Sequence, residues 1–165
     1  MREKTVNLIL MRFGKLGRAF FLLLQERSRQ VRNKYGMDLN LRAIFRAHSG
    51  LFSLSEIKLK DVPDLSAPET APNAVWKPGL GLEDVLRKVK AGVVVECTPS
   101  NINTGEPNLR HIIAALDNGW NVASANKGPL AVAFKKLKQK ADDNRVQLKF
   151  SGAAALLKDI INIYR

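Results

Sequence analysis

Three short segments of this sequence carry residues that could do chemistry, and each follows an apolar run. The first, Arg12-Phe13-Gly14-Lys15-Leu16-Gly17, comes after TVNLILM (5–11). It keeps two glycines of the pattern Gly-x-Gly-x-x-Gly. In that pattern the first glycine permits the tightest turn, the second lets backbone approach a pyrophosphate and the third lets a helix pack closely on a strand. Arginine stands in the first place. If the backbone there must take positive φ, a non-glycine residue costs on the order of 1 kcal/mol. Its guanidinium could in turn offer charge-assisted bonds to a phosphate dianion. The motif alone leaves both a working phosphate loop and a merely tolerated substitution open. The second segment runs from Cys97 through Thr98, Pro99 and Ser100 to Asn101, and the third joins Ser124, Ala125, Asn126, Lys127 and Gly128. Both put polar residues or glycine where a plain connection needs none.

The elements that must position these segments alternate in period. TVNLILM reads as a strand, and Leu16, Ala19, Phe20, Leu23 and Leu24 then repeat at helical spacing. LNLRAIF (39–45) predicts a second strand that ends near Ser49-Gly50. Residues 51–81 hold Pro63, Pro68, Pro72 and Pro78, and predict a long excursion with little regular structure. Order returns with a helix over 82–90, a buried strand VVVECT (93–98), a helix near 107–118, the strand WNVASA (120–125) and a helix that Pro129 opens. RVQLKF (145–150) predicts one more strand. Leu156, Leu157, Ile160, Ile161 and Tyr164 then mark a closing helix, within 153–165, that docks or pairs. Strands separated by crossover helices predict an α/β, Rossmann-type doubly wound parallel sheet in a single domain over 1–165, with helices on both faces. Ligands bind at the carboxyl ends of such strands, where all three segments fall.

Composition narrows the classes. With 45% apolar and 25% charged residues the chain is globular in type, and its apolar runs fall short of the ~18 residues a membrane span needs. The short run near the N-terminus lacks a small-residue cleavage site, so no export signal is read. One cysteine excludes an internal disulfide framework and fits a reducing cytoplasm. Net charge is +12, with eleven Lys or Arg against three acids in residues 1–50. Such a balance can serve nucleic acid, but aromatic residues do not interleave with the basic ones as a stacking platform requires, and a solvated basic face accounts for most of the charge. Cys97, at the end of a buried-type strand, reads as a small apolar residue before it reads as a reactive thiol. His111 has no second histidine or cysteine at ligand spacing, so no metal site is expected.

Read together, RFGKLGRAF, VVVECTPSNINTGEP, NGWNVASANKGPLA and VQLKFSGA resemble the cofactor domain of homoserine dehydrogenase, in the family's order and over nearly the whole chain. The segments ECTPSNINTGEP and SANKGPL carry most of the specificity. The resemblance implies a nicotinamide dinucleotide as cofactor and hydride transfer between homoserine and aspartate semialdehyde, an aspartate-pathway step of amino-acid biosynthesis. It implies that Thr98, Pro99 and Ser100 lie along the cofactor near the nicotinamide. It also implies that Lys127 contacts the reacting oxygen, where an ammonium stabilises developing negative charge.

The end of the second strand bears on NADP against NAD. A site for the free 2′-hydroxyl usually carries Asp or Glu there, whereas a 2′-phosphate wants positive charge. Here Ala47 stands at or beside the family's frequent acidic position, flanked by Arg46 and His48, so the NADP form is expected. In the family a substrate-binding and dimerising domain follows the cofactor domain, and this sequence continues AALLKDIINIYR instead. The expectation is a dinucleotide-binding chain without appreciable turnover alone. Its partner would be a separate substrate-domain protein or a second copy, and the alternative is a non-catalytic nucleotide-binding or interaction protein.

Overall fold

The computed structural model describes residues 3–62 and 76–165, and its centre is the leucine-rich run near the N-terminus. β1 (Lys4–Met11) leads into α1 (Lys15–Tyr35), β2 (Met37–Phe45), β3 (Ser49–Phe52), a 3-10 turn (Leu59–Asp61) and β4 (Lys77–Pro78). α2 (Leu82–Lys88), β5 (Val93–Glu96), α3 (Asn108–Asp117), β6 (Asn121–Ser124), α4 (Gly128–Asp143), β7 (Leu148–Lys149) and α5 (Leu156–Tyr164) follow. Among the described residues the strands form one seven-stranded sheet in the order β4-β3-β2-β1-β5-β6-β7. β1 pairs parallel with β2 and β5, and β5, β6 and β7 continue in parallel. This is the doubly wound architecture. The chain moves outward from β1 to β2 and later returns to β1's other side with β5, so the winding reverses between β1 and β5. A crevice opens at the carboxyl ends of strands at such a point.

Strand alternation divides the core between the two faces. Val6, Leu8 and Leu10 pack with Phe20, Phe21 and Leu24 of α1 and Leu156 and Ile160 of α5. Ile9 and Met11 pack on the other side with Val85 of α2, Ile112 and Leu116 of α3 and Leu137 of α4. A bulge between β1 and β2 resets this phase: Leu8 pairs with Leu41 but Ile9 with Ala43, which skips Arg42. Leu39 and Leu41 therefore face α1, while Ala43 and Phe45 face α2 and α3. One extra residue thus turns the end of β2 over and fixes the side from which Arg46 leaves the sheet.

Four readings are corrected. The excursion over 51–81 is not wholly irregular, because β3 pairs antiparallel with β2, and β4 with β3, at the sheet's edge; Pro63, Pro68 and Pro72 lie outside the described residues. The second strand ends at Phe45, not near Gly50, since the Arg46 N–H donates to the Ser49 carbonyl in a tight return. The strand expected over 145–150 shrinks to Leu148–Lys149. Arg145, at φ 54, closes α4 instead: its N–H donates to Asp142 and that of Val146 to Ala141, a left-handed helix ending. The buried stripe of α1 is Gly17, Phe20, Phe21, Leu24 and Val31, so Ala19 and Leu23 turn outward. Gly17 must face the turn before the helix, and that requirement rotates the whole stripe.

The closing helix docks on the chain itself. Leu156, Ile160, Ile161 and Ile163 are buried, Asn121 Nδ2 donates to the Tyr164 hydroxyl at 3.2 Å, and Lys4 Nζ lies 4.5 Å from the centre of the Tyr164 ring. Each such aliphatic side chain contributes roughly 1.5–3 kcal/mol when fully buried. Among the described residues no helix is long and apolar enough to cross a membrane.

Candidate dinucleotide-binding site

One backbone hydrogen bond beyond each strand end ties the three chemical segments into register. The Phe13 N–H donates to Phe45, Cys97 to Met11 and Ala125 to Glu96, at 2.7, 3.1 and 3.0 Å. The loops after β1, β5 and β6 are thereby gathered at one edge of the sheet, as the sequence predicts.

Arg12 sits at φ 74, the conformation for which a glycine is ordinarily used. Gly14 precedes the first turn of α1, and the Arg18 N–H makes the helix's early bond to the Gly14 carbonyl. The N–H groups of Lys15, Leu16 and Gly17 come before that first intrahelical donor and lie at the positive end of a 21-residue helix with no acid in its first turn. That end is suited to an anion. A cleft of about 510 Å³ lies against it, lined by Arg12, Gly14, Lys15, Leu16, Cys97, Thr98, Pro99, Ala125 and Asn126.

A second cleft of about 680 Å³ adjoins on the β2 side. Arg12, Arg46, His48, Thr98, Arg110 and His111 are among the residues on its wall, with Glu83 as an acid among them. Arg12 and Thr98 line both clefts, so the two spaces meet at the reversal between β1 and β5. The Arg46 guanidinium stacks over the Trp76 ring at 4.7 Å, which orients its charge at the wall of the cleft. His48 is exposed.

Several expected residues act from behind the wall. Phe13 is buried, with its ring 5.8 Å from Phe21 edge-on and 5.7 Å from Trp76, so it anchors the loop. Ser100 Oγ donates to Asn126 Oδ1 at 2.8 Å, and the Gly128 N–H donates to the same oxygen at 2.9 Å. The loops after β5 and β6 are thus clasped through one amide. Gly128 is required for that clasp, because a Cβ there would stand 2.1 Å from Ser100 Oγ. Ser124 Oγ bonds both the N–H and the carbonyl of Asn126, and Asn101 Oδ1 accepts from the N–H groups of Asn103 and Thr104. Lys127 is exposed at the start of α4 and lines neither cleft.

Cys97 is buried against the α1 face, and its thiol is pushed up to about 12, first by burial and then by the neighbouring Glu96 carboxylate. A thiol so held is packing, not a nucleophile. Glu96 and Asn108 escaped the sequence reading, and His111 was weighed there only as a metal ligand. Glu96 is fully buried, accepts from the Thr98 N–H at 2.6 Å and meets His111 Nδ1 at 2.8 Å, while Asn108 Nδ2 donates to the Thr98 carbonyl. The available signal was an acid closing a run of valines, since a buried carboxylate demands a partner.

The geometry fits a dinucleotide on three observations: a helix N-terminus, a glycine under the turn before it, and two joined clefts with cationic walls. Known proteins agree. Residues 13–151 match the family described as homoserine dehydrogenase, NAD binding domain. The homoserine dehydrogenase of Methanocaldococcus jannaschii is 28% identical over 162 residues, covering 96% of this chain and 47% of that protein. The Sulfurisphaera tokodaii enzyme is 30% identical over 160 residues, covering 97% and 46%. A solved hyperthermophilic archaeal homoserine dehydrogenase in complex with NADPH shares the fold at a TM-score of 0.69 and 22% identity, covering 88% of this chain and 43% of that one. The chain spans about half the length of the curated relatives it matches. With the match over 13–151 and the strand-end loops described here, the chain belongs to the homoserine dehydrogenase NAD-binding domain family.

Proposed function

We propose that this chain holds NADP across the reversal between β1 and β5 and serves as the cofactor half of a homoserine dehydrogenase. The observation that carries the reading is that Arg12 and Thr98 join two clefts at the N-terminus of α1. The pyrophosphate is assigned to Gly14–Gly17, where helix N–H groups and the Arg12 and Lys15 side chains supply positive charge. The 2′-phosphate is assigned to Arg46 and His48, which stand where a carboxylate would repel it. Thr98 and Pro99 are assigned to the nicotinamide end, with Ser100 behind them braced by Asn126.

The nicotinamide, when bound, accepts or donates hydride. Lys127 is the residue proposed to meet the reacting oxygen and to hold or give its proton. Alignment of substrate with cofactor supplies about 7–11 kcal/mol of rate enhancement when it is good, and the part of the homoserine dehydrogenase relatives that this chain does not cover is where the substrate's carboxylate and amine are proposed to be held. The chain therefore binds dinucleotide and gives no appreciable homoserine oxidation until a substrate domain is supplied, either by a separate protein or by further chain. Calorimetric titration with NADP+ and NAD+, followed by an activity assay with and without a substrate-domain protein, tests this. Tight NADP+ binding with turnover only on addition is expected, and failure to bind either dinucleotide rejects the reading.

A second reading, a nucleotide-binding protein without catalysis, draws on one observation: Lys127 projects into solvent and lines neither cleft. Silence in the assay under both conditions, with binding intact, selects it.

A further inference from the structure

We infer that Glu96, Asn108 and His111 form a positioning cluster that fixes the Thr98 peptide where the dinucleotide crosses the end of β5, an inference that rests on the dinucleotide reading above. Thr98 is the residue, with Arg12, common to both clefts. Neither polar group of its backbone is held by the sheet. Its N–H donates to Glu96 Oε1 at 2.6 Å, and its carbonyl accepts from Asn108 Nδ2. The other oxygen of Glu96 meets His111 Nδ1 at 2.8 Å, so α3 grips the loop from two points, one of them through Glu96. His111 also forms part of the wall of the larger cleft.

Packing alone does not account for the cluster. Glu96 and Asn108 are both fully buried, and Asn108 Oδ1 has no hydrogen-bond partner among the described residues. A buried carboxylate pair gains little over well-packed apolar side chains of similar size, and an unpaired buried acceptor is a net loss. What the three polar side chains share is the Thr98 peptide. A neutral His111 that donates its Nδ1 proton to a buried carboxylate must keep Nε2 as an acceptor, so Glu96 also sets the tautomer of a cleft-lining ring. These are positioning residues, acting on the cofactor through Thr98.

The test uses the full chain, 15N-labelled for histidine ring shifts and titrated calorimetrically with NADP+, for the unaltered protein and for His111→Phe, His111→Asn, Glu96→Gln and Asn108→Leu, each checked for folding by thermal melting. The neutral ring of His111 is expected to carry its proton on Nδ1, and to shift it to Nε2 in Glu96→Gln, whose amide can donate to the ring. Affinity for NADP+ is expected to fall about tenfold in His111→Phe, the size of the cost of ordering a loosened group on binding, and to return largely in His111→Asn, which keeps a donor near Nδ1. Unchanged affinity in His111→Phe, equal losses in both His111 variants, or an Nε2 proton in the unaltered chain overturns the inference. If His111→Phe does not fold, Asn108→Leu decides: it removes the donor to the Thr98 carbonyl with a side chain of similar shape, weaker NADP+ binding is expected, and unchanged binding overturns the inference. No binding by the unaltered chain overturns the dinucleotide reading itself, whereas tight binding indifferent to all of these changes overturns the positioning role alone.

Discussion

The Arg12 carbonyl and the α-carbon of Gly17 are in such close contact that a Cβ built on Gly17 would stand 2.1 Å from the Arg12 oxygen. This contact links the two departures of the loop from ordinary backbone. The chain must turn sharply enough for α1 to return onto its own entrance, and Arg12 accordingly takes φ 74. The third glycine of the fingerprint is thus a steric necessity here, while the first place tolerates arginine at the expense of strain.

Gly17→Ala should therefore be among the most disruptive small changes in the chain. Backbone cannot yield as a flexible side-chain end can, so α1 must shift, with a loss of about 1–3 kcal/mol of the kind overpacking causes. Chemical denaturation measures it, and NADP+ affinity should fall with it, since the helix N-terminus moves.

Arg12→Gly separates strain from function. Removing a non-glycine residue from positive φ should relieve about 1 kcal/mol in the folded state, offset in part by the greater freedom of glycine when unfolded. Stability is expected to hold or rise while NADP+ affinity drops. A variant that binds as well as the unaltered chain would show that the guanidinium has no part in holding phosphate.

Arg46→Ala should remove the preference for NADP+ over NAD+ more than it weakens binding overall. A charge-assisted bond to a phosphate contributes about 1.5–3 kcal/mol, so the ratio of the two affinities should change about tenfold or more. Its Trp76 contact predicts a smaller, separate loss of stability.

Much of this was legible in the sequence, because periodicity and strand-end composition are local. The strand before Arg12, the valine run before Glu96 and the helix opened by Pro129 all stand where spacing puts them. What was not legible depended on contacts distant in sequence. The inward face of α1 is set by Gly17 against Arg12, and the bulge skips Arg42, whose side chain reaches Asn7 Oδ1 at 2.8 Å, so neither follows from an apolar count. The Glu96–His111 pair joins residues 15 apart on different elements, and a lone histidine on a helix gives no sign of it.

Cys97 offers a check on the packing beneath the site. Its raised pKa means that the folded chain keeps the thiol proton after the unfolded chain has lost it. The stabilisation is complete below the free-thiol value and is lost as pH rises toward about 12. Alkaline destabilisation from about pH 8.5, the free-thiol value, should be shallower in Cys97→Ala. Thiol-modifying reagents at neutral pH should react slowly with the native chain and quickly once it is unfolded.

Lys127→Ala should leave thermal stability within about 0.5 kcal/mol, as for an exposed side chain away from special features. In a chain completed by a substrate domain it should abolish most homoserine oxidation. Full activity in that variant would remove Lys127 from the proposed chemistry.

Whether a dinucleotide lies across the reversal between β1 and β5 can be read from amide chemical-shift mapping of the 18.3 kDa chain with NADPH. The largest shifts are expected at residues 12–17, 46–48, 97–100 and 125–128, with α5 and the β7 edge nearly unmoved. Saturating NADPH that leaves those segments unshifted, or moves a different surface, would contradict that placement.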